Sequence, residues 1–153
     1  MLKLFAMAIV IVLAASVPAK AQDFEAGLTA YDRGDYAVAL REWRPLAALG
    51  HADAQLQLGF MHFHGEGVPQ DRTAAMALWL KAAGEGHAEA EFTIGAVYAM
   101  GYGFAQDDAA ARKWLARSAA KGNLNAIGML AYLDGRAPSA QVAGSMKSPA
   151  ETR

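Results

Sequence analysis

The sequence contains no cysteine. That absence excludes a disulfide framework, a thiolate metal site, a cysteine nucleophile and a lipid-modified cysteine at a processed N-terminus. An excess of positive charge is lacking as well: 14 Lys and Arg stand against 15 Asp and Glu in 153 residues, a formal charge of −1. Nothing there grips a phosphate backbone, so nucleic-acid binding is disfavoured. Only 19% of the residues are charged while 54% are apolar, which is too little charge for a disordered chain and ample material for a core. There is no Gly-rich phosphate loop ending in Gly-Lys-Ser/Thr and no Gly-x-Ser-x-Gly elbow. The few serines, Ser16, Ser118, Ser139, Ser145 and Ser148, fall in the leading segment, in a helix or in the tail, so phosphoryl and acyl transfer have no seat.

The leading segment reads as an address. Met1-Leu2-Lys3 is a short positive start, Leu4 to Val17 is an uncharged run of 14 residues, Pro18 breaks it, and Ala19-Lys20-Ala21 has small side chains where a signal peptidase accepts them. Cleavage is expected between Ala21 and Gln22. A helix of that length falls below the roughly 20 residues needed to cross a bilayer, so no stable membrane span is expected after cleavage. Loss of Lys3 and Lys20 leaves 12 basic against 15 acidic side chains, a mildly acidic domain. The expected location is a bacterial envelope, periplasmic or secreted, where ATP is not at hand.

The remainder is organised by a period of 36. That shift aligns Ala54 with Ala90 and Ala126, Gly59 with Gly95, Gly65 with Gly101, Gly67 with Gly103, Asp71 with Asp107, Ala75 with Ala111, Ala83 with Ala119 and Gly86 with Gly122. Carried backwards, it aligns Trp43 with Trp79 and Gly50 with Gly86. Each period reads as two helices: a first near 52–64 or 88–100, a loop with two glycines closing on a capping Asp, and a second helix through Leu78 and Trp79, or Trp114 and Leu115. Pro45 falls inside the second helix of the opening unit, where a kink or early end is expected. The last unit has only a first helix, Asn125 to about Leu133, followed by a polar tail, 137–153, expected to be disordered.

These residues resemble the Sel1-like repeat (SLR) family of the tetratricopeptide-repeat superfamily. The match is carried by Ala54, Leu58, Gly59, Gly65, Gly67, Val68, Asp71, Ala75, Lys81, Ala82, Ala83 and Gly86, and by Ala90, Gly95, Tyr98, Gly101, Gly103, Asp107, Ala111, Trp114, Ala119 and Gly122 in the next copy. Gly27 to Ala39 looks instead like the tighter turn of an ordinary tetratricopeptide repeat. His62 stands where the family prefers Tyr. The resemblance implies an all-α, right-handed α-solenoid of stacked antiparallel helix pairs, about seven helices, spanning 22–136. It further implies that first-helix positions −6, −3, +1, +4 and +5 from the glycine line a ligand groove. Here these are Asp53, Leu56, Phe60, Phe63 and His64, then Glu89, Phe92, Ala96, Ala99 and Met100. The result is an apolar, aromatic trough with an acidic rim, suited to a peptide or protein segment. For Phe60, Phe63 and Phe92 a purely structural role in the core is the alternative.

With no second helix to cover it, the final helix is expected to present Met129, Leu130 and Leu133 as an open edge that docks a partner, a second copy or the tail. The four histidines are not expected to bind metal. His51 and His87 are the same turn position in successive units, about 10 Å apart, and His62 and His64 point about 200° from each other on a helix. Glu89 with Glu91, and Asp107 with Asp108, read as helix-end acids rather than an acid–base pair. No cofactor is expected. The leading expectation is an exported, non-enzymatic scaffold binding another protein; a cell-wall hydrolase and a capture protein for a small ligand such as a peptidoglycan peptide remain the alternatives.

Overall fold

The computed structural model describes residues 23–135; the expected signal and polar tail lie outside the described residues. Among the described residues are seven α-helices and no strand: α1 Phe24–Asp32, α2 Tyr36–Ala48, α3 Ala52–His64, α4 Arg72–Gly84, α5 Ala88–Met100, α6 Asp108–Ala120 and α7 Leu124–Gly135. Helix packs on the next helix along the chain throughout, with α5 also touching α7. The architecture is an all-α repeat solenoid in which stability accumulates between neighbours.

The helix ends follow from short-range chemistry. Asp71 Oδ1 accepts from the Ala74 N–H at 2.9 Å, and Asp107 Oδ1 accepts from Ala109 and Ala110 at 3.0 and 2.9 Å. These side chains satisfy amides that the first turn leaves without partners. α3 and α5 stop at Gly65 and Gly101, whose φ of 77° and 68° is left-handed, a conformation glycine adopts without a Cβ penalty. The loops then close back, the Asp71 N–H on the His62 carbonyl at 2.8 Å and the Asp107 N–H on the Tyr98 carbonyl at 3.0 Å. Helix α2 does not end early at Pro45. It continues to Ala48, because the bond lost at that proline belongs to the carbonyl of exposed Arg41 while the Pro45 carbonyl still accepts from Leu49 at 3.1 Å.

Small residues set how closely the two helices of a unit approach. A Cβ on Gly59 would lie 2.2 Å from Trp79 Nε1, and one on Gly27 would lie 2.2 Å from Trp43 Nε1. Both indoles are buried and both are tethered by Nε1, Trp43 to the Phe24 carbonyl at 3.1 Å and Trp79 to the Leu56 carbonyl at 3.2 Å. The first unit reaches the same packing with residues 33–35 between its helices where the second uses 65–71; this is the tighter turn expected at Gly34-Asp35. In the third unit Leu115 takes the place of Trp79 over Gly95. Trp114 is then half-buried at the seam, with the Arg117 guanidinium 4.7 Å from its ring.

Candidate functional site

The units are tied by polar contacts that recur with the period. His51 and His87, expected as plain turn residues, are N-caps: Nδ1 accepts from the Ala54 N–H at 3.3 Å and from the Ala90 N–H at 3.2 Å. Because Nδ1 of His87 accepts, Nε2 carries the proton and donates to Asp53 at 2.8 Å. One repeat on, Asn123 does both jobs, accepting from the Ala126 N–H at 3.0 Å and donating to Glu89 Oε2 at 2.8 Å. Asp53 and Glu89 are thus held by the next unit's cap. Behind them Glu91, fully buried, accepts from Lys121 Nζ at 2.7 Å, with Arg117 Nη2 2.8 Å away as an ion pair rather than an aligned hydrogen bond. Glu91, Arg117 and Lys121 form a clamp between α5 and α6.

Between α3 and α5 a groove of about 260 Å³ opens to solvent. Phe60, Phe63 and His64 line it from α3, Glu89, Phe92 and Ala96 from α5, and Trp79 forms its floor. The aromatic rings brace one another: Phe60 and Phe63 lie 5.3 and 5.4 Å from Trp79, and exposed His64 stands edge-on to Phe63 at 5.2 Å. Tyr102 closes one side from the loop after α5. One repeat earlier Glu66, at the register of Tyr102, accepts from the Tyr31 hydroxyl at 2.6 Å. The residue after the left-handed glycine is thus hydrogen-bonded to the first helix of the preceding unit in one copy and lines the groove beside it in the next. Burial, then the hydrogen bond to Glu66, holds the Tyr31 phenol above the ordinary tyrosine range.

The groove continues one repeat on. Between α5 and α7 a second opening of about 430 Å³ is lined by Met100, Gly128, Met129 and Tyr132, which stand at the registers of His64, Phe92, Thr93 and Ala96. The first-helix face therefore carries two apolar openings in sequence.

Several expected positions fall elsewhere. Leu56 is 5% exposed and belongs to the core with Met76 and Trp79, because its register turns it under α4 rather than into the groove. Asp53 is exposed at the turn beside His87 and is not among the lining residues. Leu133 is 1% exposed, packed with Ala99, Ala111 and Leu115; it stands at the register of Val97 and Met61, both buried against neighbouring helices. Leu130 is half-buried on the same cluster, and Met129 belongs to the groove. The exposed edge is formed instead by Leu124 at 80% and Ile127 at 48%. Trp79, Thr93, Val97 and Tyr102 are lining residues that position-counting from the glycine does not reach. Among the described residues no set of three His, Asp or Glu side chains could hold a metal, and no helix is long and apolar enough to cross a membrane.

The model of the Sel1 repeat matches residues 52–87 and 88–123, two consecutive units in the register of the period. The chain carries two Sel1 repeats. Among solved structures, the Sel1-repeat protein from Oxalobacter formigenes is 28% identical with a TM-score of 0.67, covering 72% of this chain and 46% of that one. A protective antigen present in uropathogenic Escherichia coli strains, displaying an SLR fold, is 30% identical with a TM-score of 0.64, covering 72% of this chain and 24% of its own. The chain thus spans less than half the length of either. No curated protein matches the sequence. Groove positions change between the two Sel1 repeats outside the small-residue and turn positions that define the unit: Phe60 becomes Ala96, and at the register of Phe63 stands Ala99, which is fully buried in the core with Leu133 instead of lining the groove as expected.

Proposed function

We propose that this protein is an exported, non-enzymatic scaffold whose concave face holds an apolar segment of another protein in the cell envelope. Sel1-repeat proteins are in general protein-interaction scaffolds, and the groove supports assigning that role to the first-helix face. The observation that carries the reading is the pair of apolar openings, about 260 and 430 Å³, one repeat apart on the first-helix face. Aromatic side chains braced by a buried indole are large, rigid contacts that lose little entropy on binding. Glu89, Thr93 and Tyr102 at the first opening offer the few polar groups that fix orientation. The leading segment 1–21, read as a cleaved signal, puts the partner in the periplasm or outside the cell.

The test is site-specific. A photo-reactive residue at His64 should cross-link one partner in intact cells, and the same residue at Leu49, exposed at the turn before α3, should not. Phe92→Glu should abolish the cross-link with helicity preserved. Equal labelling from both positions, or a cross-link insensitive to Phe92→Glu, refutes groove binding.

A further inference from the structure

We propose that a second copy of this chain packs on the last described helix, its α7 lying antiparallel across α7 about a two-fold axis, on the face that a second helix covers in the complete units. The face in question is defined by register. In complete units, the first-helix residues turned toward the second helix are Ala88, Glu91 and Gly95: the Ala88 carbonyl accepts from Ser118 at 2.7 Å, Glu91 meets Arg117 and Lys121, and Gly95 receives Leu115. On α7 these registers are Leu124, Ile127 and Ala131, with Gly128 completing an i, i+3, i+4, i+7 stripe. All four are exposed.

The stripe is more apolar than its counterparts that have a covering helix, since Ile127 replaces the buried acid Glu91. The opposite side of α7, Ala126 and Leu133, is buried in the solenoid. A helix apolar on both sides is one that gets buried on both sides.

A second α7 fits for a reason specific to its order of residues. Bulk sits in the N-terminal half of the stripe, Leu124 and Ile127, and small residues in the C-terminal half, Gly128 and Ala131. An antiparallel two-fold pairing sets Leu124 over the partner's Ala131 and Ile127 over the partner's Gly128, and the reverse, as an isologous contact requires. It repeats the device of the complete units, where Trp79 sits over Gly59 and Leu115 over Gly95. A Cβ on Gly128 would meet nothing within 4 Å, so the position, at the rim of the second opening, is open to solvent. The stripe itself carries no charge, so two copies meet without like-charge repulsion. The acid on this helix, Asp134, is held by Arg112. One helix face per copy is a small interface, so association should be weak and concentration-dependent.

Sedimentation of the full chain, as recovered from cells that express it, should show monomer passing to dimer across the micromolar range. Ile127→Asp should shift the midpoint at least tenfold to higher concentration, with circular dichroism unchanged because the side chain is exposed. Geometry is tested in the cysteine-free chain: an equimolar mixture of Leu124→Cys and Ala131→Cys should form the mixed disulfide dimer faster than either variant forms its own. A monomer at every concentration, a dimer indifferent to Ile127→Asp, or larger head-to-tail species would each overturn the proposal, as would single-variant dimers forming as fast as mixed ones.

Discussion

Adding one methyl group at Gly59 should cost more than its size suggests. The new Cβ would stand 2.2 Å from Trp79 Nε1 and 2.5 Å from Cδ1, against ordinary contacts of about 3.5–4.0 Å. The indole must therefore move by more than about 1 Å, yet it is 1% exposed and wedged between Phe60 and Phe63. Overpacking of this kind costs about 1–3 kcal/mol. Movement also breaks the Nε1 bond to the Leu56 carbonyl and strands a buried donor, another ~1–3 kcal/mol. The alanine returns about 1 kcal/mol in helix propensity, so the net loss for Gly59→Ala should be about 3 kcal/mol. Against a total stability of ~5–15 kcal/mol, that lowers the melting temperature by about 10–20 °C. Two companions set the scale. Gly95→Ala meets the flexible Leu115 at 2.7 Å and should cost less, and Gly84→Ala meets nothing within 4 Å and should stabilise by up to about 1 kcal/mol. Urea unfolding followed by far-ultraviolet circular dichroism measures all three. Equal effects at Gly59 and Gly84 would refute the packing argument.

The other expectations follow from the polar contacts. His87→Ala should cost about 1 kcal/mol as a lost cap, whereas His87→Asn should be nearly neutral, since Asn123 already fills that role one repeat on; thermal melts separate the two. Arg117→Met with Lys121→Met leaves Glu91 buried and unpaired and should cost about 3–5 kcal/mol. Glu91→Leu, which leaves two half-exposed cations that water can solvate, should cost clearly less in the same chemical denaturation. Tyr31 has its proton held more tightly in the fold than in the unfolded chain, so its contribution is complete below about pH 10 and is lost as pH rises above that value. Wild type should therefore lose stability faster than Tyr31→Phe when melts are taken at increasing alkaline pH; parallel decline would show that the bond to Glu66 carries no such linkage.

The period of 36, the loop chemistry and the capping acids are local events, and local events are written in order along the chain. That is why α3 and α5 run over the expected 52–64 and 88–100, and why Asp71 and Asp107 cap the helices that follow them. Which face of a first helix meets solvent depends on residues far away in sequence. Leu56 and Phe60 are both apolar and one turn apart, yet α4 covers the first and leaves the second at the groove. Leu133 looks like an exposed end until its register with Val97 and Met61 shows it beneath α6. Tyr102 was legible only in its partner one repeat earlier, Glu66, and only once a loop was known to curl back. The pairing of His87 with Asp53 and of Asn123 with Glu89 likewise required neighbouring units to be stacked before donor and acceptor could meet. Sequence therefore determined the units and their ends, because turns and caps act over a few residues. Tertiary structure decided the groove and the open edge, because burial is a property of neighbours.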